Sequence, residues 1–79
     1  MEQNTIDTLR EALKHSPNNV QIRMLLAQTL KDLNRLAEAE EEYNTLLSYT
    51  KDDKAKLGLA EVYFKKESFS ACIVILEEV

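Results

Sequence analysis

A spacing of 33 residues governs how this chain can fold. Leu26 and Ala27 return as Leu59 and Ala60, Leu30 as Tyr63, Leu36 as Phe69, Ala39 as Cys72, Tyr43 as Leu76 and Leu46 as Val79. In each pair bulk matches bulk, or a small side chain matches a small one. A fixed period of roughly 20 to 50 residues marks stacked repeat units, each burying its apolar face against the next. Such a chain is expected to be a binding or assembly scaffold rather than an enzyme.

Composition narrows the units to helices. One glycine and one proline among 79 residues leave little material for turns or strands, whereas the abundant Ala, Leu, Glu and Lys are good helix formers. A chain of this length buries a modest fraction of its surface and is marginal alone. The net charge is −4 with both signs interspersed, so nucleic acid finds no basic foothold. The run Glu40, Glu41 and Glu42 reads as a solvated helix face. A single cysteine excludes an internal disulfide and fits a reducing compartment. The first residues lack the apolar core of a signal peptide. No stretch approaches the ~20 apolar residues of a membrane span. The expectation is a soluble, cytoplasmic protein with no membrane contact, or a soluble piece of a larger one.

Periodicity and breakers predict five helices. Residues 4–15 carry the stripe Ile6, Leu9, Ala12, Leu13, stopped by Ser16-Pro17-Asn18-Asn19. Residues 20–33 follow, with Asn18 as N-cap, Gln21 as its reciprocal partner, and an apolar face of Ile22, Leu25, Leu26, Ala27, Leu30 and Leu33. Asn34 can take the left-handed turn that ends this helix. Residues 36–49 turn Leu36, Ala39, Tyr43, Leu46 and Leu47 inward. Their link to the preceding helix is short enough for an antiparallel hairpin, although Arg35 is a poor N-cap. Asp52 caps residues 54–66, whose apolar members are Leu57, Leu59, Ala60, Tyr63 and Phe64. Gly58 inside that helix costs about 1 kcal/mol relative to alanine and permits close packing. Residues 69–79 contain Cys72-Ile73-Val74-Ile75-Leu76. That run would suit a strand, but the 33-residue register sets it opposite the third helix.

These residues resemble the tetratricopeptide repeat, a helix–turn–helix unit of about 34 residues. Leu26-Ala27 with Leu30, then Ala39 and Tyr43, match one unit; Leu59-Ala60 with Tyr63, then Cys72 and Leu76, match a second. Leu9, Ala12 and Pro17 look like the closing helix of a preceding unit. The resemblance implies an all-α fold of antiparallel helical hairpins stacked as a short right-handed α-solenoid of about five helices. It divides the chain into a closing helix at 1–17, a full repeat at 18–51 and a truncated repeat at 52–79. Fewer than three units suggests a piece of a longer protein. The chain departs from the pattern in two places. Arg23 and Lys56 occupy the leading tryptophan position, and Asn34 and Glu67 replace the inter-helix glycine. Glu67 gains nothing from a left-handed conformation, so the second hairpin turn is expected to differ. Small residues at Ala27, Ala39, Ala60 and Cys72 would let paired helices approach closely.

Nothing here announces catalysis. His15 lies at a helix end, where an imidazole suits the helix dipole, and Cys72 falls at a small buried contact position. One His and one Cys cannot build a usual zinc site, and one glycine cannot build a phosphate loop. No catalytic residue, metal or cofactor is expected, and the partner class is protein or peptide. On the first helices of each hairpin, Met24, Gln28 and Lys31, then Lys54, Leu57, Glu61 and Phe64, line the expected concave face, with Gln21 and Lys65 beside them. Chaperone-tail-binding tetratricopeptide domains carry a lysine, asparagine and arginine clamp on this face. The matching places are Met24, Gln28, Lys54 and Gly58, and only Lys54 fits, so no such clamp is expected. In the last helix, Ile73, Val74 and Ile75 replace the three glutamates, leaving these and Val79 as a face for a further repeat, a partner or a second copy. The rival readings are an oligomerisation or regulatory domain of a larger multidomain enzyme, and a small enzyme using Cys72 or His15.

Overall fold

In the computed structural model, residues 2–68, 73–75 and 77 are described. Four helices run in order: α1 (Glu2–His15), α2 (Val20–Asp32), α3 (Leu36–Leu47) and α4 (Asp53–Lys65). Helical backbone resumes at 73–75 and 77, so the β-branched run is helical where it is described. The described residues contain no strand. The most extensive packing is α2 on α3, followed by α3 on α4 and α1 on α2, with α2 also touching α4. Cα extents of 34 × 25 × 14 Å make a slab, so each helix keeps an exposed flank.

The core forms where the 33-residue pattern places it. Ile6, Leu26, Ala27, Leu30, Ala39, Tyr43 and Leu46 are fully buried in one cluster with Leu59. Ala60, at 2% exposure, is also buried. The expectation for Cys72 lies outside the described residues, as do those for Phe69, Leu76 and Val79. One expected member of the apolar face proves to be outside: Leu25 is 51% exposed. Phe64, expected on the concave face, is 62% exposed. Ala55 and Val62 are buried instead, completing the inner stripe of α4. Gly58 explains its own place in a helix. A Cβ there would sit 2.6 Å from the Tyr43 hydroxyl and closer still to its ring. The missing side chain is what lets α4 lie on α3.

Both helix ends that face the register obey it. At the end of α2, Asn34 has φ 63, its N–H donates to Lys31 O and the Arg35 N–H donates to Leu30 O. At the end of α4, Glu67 has φ 63, its N–H donates to Phe64 O and the Ser68 N–H donates to Tyr63 O. These are two Schellman closures, 33 residues apart. The expected difference at Glu67 is therefore corrected: the paired carbonyls impose the left-handed turn on a residue that costs about 1 kcal/mol more there than glycine.

Two caps also differ from expectation. The Ser16–Asn19 segment closes as a turn, with the Asn19 N–H donating to Ser16 O. Pro17 suits the first central position of such a turn, which leaves Asn18 inside it. Asn19 becomes the N-cap of α2, its Oδ1 accepting from the Ile22 N–H at 3.0 Å. Gln21 is therefore not the reciprocal partner. Arg35, which precedes α3 without a side-chain cap, already uses its N–H to close α2. Its guanidinium instead grips Glu38 at 2.8 and 2.9 Å, one turn into α3.

Glu40 to Glu42 are not one solvated face. Glu41 is exposed, but Glu42 is buried beside Arg23, with Arg10 at 3.8 Å. Arg10 also donates to Glu38 at 3.0 Å, and Arg23 reaches Pro17 O and the Tyr49 hydroxyl, each at 3.1 Å. A continuous charged network thus fills the junction of α1, α2 and α3. Arg23 anchors it at the position where the repeat pattern has tryptophan.

Candidate functional site: the face of α2 and α4

Because α2 and α4 touch, their outward stripes form one surface. On α4, Lys54, Leu57, Glu61 and Phe64 fall at intervals of three and four residues and so share a face. Met24, Gln28 and Lys31 do the same on α2. Near the N-terminal ends of the two helices lies a hollow of ≈ 300 Å³ lined by Val20, Gln21, Met24, Leu25, Gln28, Asp52 and Lys54. Met24 is half-buried there, packed against the core, while Gln28 and Lys54 are exposed.

Toward the other end, Lys31 donates to Glu61 at 3.0 Å and ties α2 to α4. The Lys31 side chain is only 12% exposed, so its stem covers apolar surface. Leu57 and Phe64 stand out from α4 at 43% and 62% exposure. The hollow thus gathers Met24, Gln28 and Lys54. Lys31 and Glu61 pair beyond it, and Leu57 and Phe64 flank it on α4 without lining it. Lys65 is exposed.

Sequence periodicity missed Leu25 and Asp52. A leucine beside Leu26 reads as core. The signal against it was the register: Leu25 is the counterpart of Gly58, a position that carries no core bulk. Asp52 was recognised as the cap of α4, and its carboxylate does accept from the Lys54 N–H at 2.8 Å.

Beneath this face lies Tyr43, fully buried, its hydroxyl without a hydrogen-bond partner among the described residues. Burial, together with the charges of Glu61 and Asp32, pushes its phenol up to about 12. The ring therefore stays neutral and acts as packing. His15 is a surface side chain, 81% exposed and 3.9 Å from Glu11.

On the opposite side of α4, Lys66 donates to Glu40 at 2.6 Å and the Tyr63 hydroxyl donates to the same carboxylate at 3.1 Å. The Lys66 ammonium, aided by Tyr63, holds the Glu40 carboxyl below its ordinary 4.5, and the Arg35 guanidinium, with Arg10, does so for Glu38. Their folded values are depressed, so their contribution is present above pH 4.5 and is lost as pH falls through the folded values. Lys66 is raised by Glu40, and Tyr63 by burial and by Glu40. Their contribution is complete below pH 10.0 and is lost as pH rises through the folded values. Thermal melts across pH should show a plateau falling on both limbs. Glu40→Gln should flatten the acid limb; an unchanged limb would contradict the Glu40 assignment.

Among the described residues no helix is long and apolar enough to cross a membrane. The family profile of the tetratricopeptide repeat matches residues 3–55, spanning α1 to the start of α4. No curated protein and no solved structure matches the chain. Tetratricopeptide repeats are in general protein–protein interaction modules and typically non-catalytic. With helix–turn–helix geometry closed by its left-handed residue and a profile covering most of its length, the chain belongs to the tetratricopeptide repeat family.

Proposed function

We propose that this chain is a non-catalytic docking module, an adaptor or scaffold element, whose α2–α4 face receives a short segment of a partner protein. The observation that carries the reading is the make-up of that face. Exposed Leu25, Leu57 and Phe64 and half-buried Met24 surround Gln28, Lys54 and the Lys31–Glu61 pair. Apolar anchors among a few polar groups are what a peptide or amphipathic helix needs for affinity and orientation. With Lys54 alone of the clamp residues, the chemistry favours an apolar segment over an acidic tail.

The test starts from peptides selected on the intact chain from a random library. Leu57→Glu and Phe64→Glu, both at exposed positions, should leave the helical signal and melting temperature unchanged. They should weaken the selected peptides by at least about tenfold, the loss of one apolar anchor. Affinities unchanged in both variants would sink the reading.

A second reading, self-association through the last helical stretch, is favoured by Ile73 and Val74, which are 55% and 57% exposed. In the register Ile73 follows Glu40, whose side chain meets the next helix at Tyr63 and Lys66. Sedimentation of the chain and of Val74→Glu decides: a concentration-dependent dimer that the variant abolishes supports self-association, and a monomer at every concentration excludes it.

A further inference from the structure

Among the described residues, the Tyr43 hydroxyl is the one buried side-chain polar atom without a hydrogen-bond partner. An orphaned buried donor costs a folded chain stability and calls for an account. The ring crosses from α3 over Gly58 of α4, with the hydroxyl 2.6 Å from where a Gly58 Cβ would stand. Glu61 lies three residues on from Gly58, and positions so spaced are neighbours on a helix surface, with Cβ atoms about 5–6 Å apart. Helical side chains lean toward the preceding turn, which brings the Glu61 side chain over the turn of Gly58. Burial raises the Tyr43 phenol most, and Glu61 is the charge that raises it next. Yet the Glu61 carboxylate accepts from Lys31, at 3.0 Å across the α2–α4 face. The Glu61 side chain is 61% exposed and that of Lys31 only 12%. An acceptor one helical turn from an orphaned donor is thus engaged elsewhere, by a single ion pair.

We infer that the Lys31–Glu61 pair is a latch on the α2–α4 face, opened by a carboxylate on the docking segment that takes Lys31 and lets Glu61 turn to accept from the Tyr43 hydroxyl. Closed, the face holds one ion pair and one orphaned donor. Open, Lys31 pairs with the partner's carboxylate, Tyr43 donates to Glu61, and no group is orphaned. The sign of the opening charge follows from burial. A partner cation would compete for Glu61 and strand Lys31, the more desolvated of the two. A partner carboxylate leaves every group paired. The segment is therefore an apolar one with a single aspartate or glutamate beside its anchors. Those anchors meet Leu57 and Phe64, four residues before Glu61 and three after it on α4. The partner's chemistry rests on the α2–α4 face being the docking surface, whereas the turn of Glu61 is a property of the chain alone.

Thermal melts of the intact chain test the turn of Glu61. Tyr43→Phe removes only the orphaned hydroxyl and should raise the melting temperature by about 4 °C. Lys31→Met keeps an apolar stem over the surface it covers and removes the ammonium, which releases Glu61. In that background Tyr43→Phe should instead lower the melting temperature by about 4 °C, and adding Glu61→Ala should restore the rise. The same sign in both backgrounds, or a fall that survives Glu61→Ala, would overturn the latch. The second measurement uses peptides selected on the intact chain from the random library. They should carry one Asp or Glu, and its replacement by the matching amide should weaken binding about tenfold, the worth of one charge-assisted contact. In Lys31→Met the acid and amide peptides should bind equally. Equal binding by the unaltered chain, or a difference that persists in Lys31→Met, would overturn the carboxylate opener. Peptide binding that ignores Leu57→Glu and Phe64→Glu would sink the docking face and the opener with it, while the sign reversal in the melts would still stand, so the two failures are told apart.

Discussion

Ala27→Leu will cost about 3 kcal/mol, the upper end of what overpacking a closed core usually costs. For a chain of 79 residues that is a large part of a total stability of only roughly 4–12 kcal/mol. Ala27 is fully buried in the cluster that also holds Leu26, Leu30, Ala39 and Tyr43, on the helix pair with the most extensive packing. Three extra carbons have no free volume to enter, so α2 must move away from α3. Ala37→Leu is the control. It makes the same chemical change on the exposed side of α3 and should alter stability by less than about 0.5 kcal/mol. Urea denaturation of the two variants reads the difference. Equal effects would mean that small side chains at the helix crossing do not set the spacing.

Glu42→Ala will cost nearly as much, about 3 kcal/mol, through an opposite mechanism. The Arg23 and Glu42 side chains are only 16% and 11% exposed, and removing one partner leaves a largely desolvated guanidinium. Arg23 would keep Pro17 O and the Tyr49 hydroxyl, both neutral acceptors. At the corresponding positions 33 residues on, the chain carries Lys56 and Ile75. Arg23→Lys combined with Glu42→Ile, which copies that arrangement, should therefore be markedly more stable than Glu42→Ala. A double-mutant cycle measures the coupling, and strictly additive losses would contradict it.

Much of this fold was readable because it rests on local chemistry repeated at one period. Leu26, Ala27 and Leu30 fix the inner face of α2. Asn34 marks a left-handed turn that its small polar side chain tolerates, and Asp52 caps α4 where an extended residue meets a helix. The misses share a different origin. Asn18 and Asn19 can both cap, and the turn closed at Ser16 chooses between them. Glu67 has no propensity for its conformation, and only the carbonyls of Tyr63 and Phe64 impose it. Glu42 looked solvated because its partners are 19 and 32 residues away along the chain. A cation at the tryptophan position signals burial of a carboxylate only once α2 and α3 are placed side by side. Leu25 looked like core because periodicity counts apolar residues without knowing which flank a neighbouring helix covers. The α2–α4 surface was legible residue by residue, whereas the hollow among its residues required both helices in space.

The central claim is that one hairpin stacks on the next because a small residue on one helix admits a large ring from its neighbour. The closest reporter is the Tyr43 ring over Gly58, where no side chain separates α3 from α4. Nuclear Overhauser spectroscopy on the intact chain measures it directly. The account predicts strong cross-peaks from the Tyr43 ring protons to both Gly58 α-protons. A chain that is helical throughout these segments but lacks those cross-peaks would contradict it.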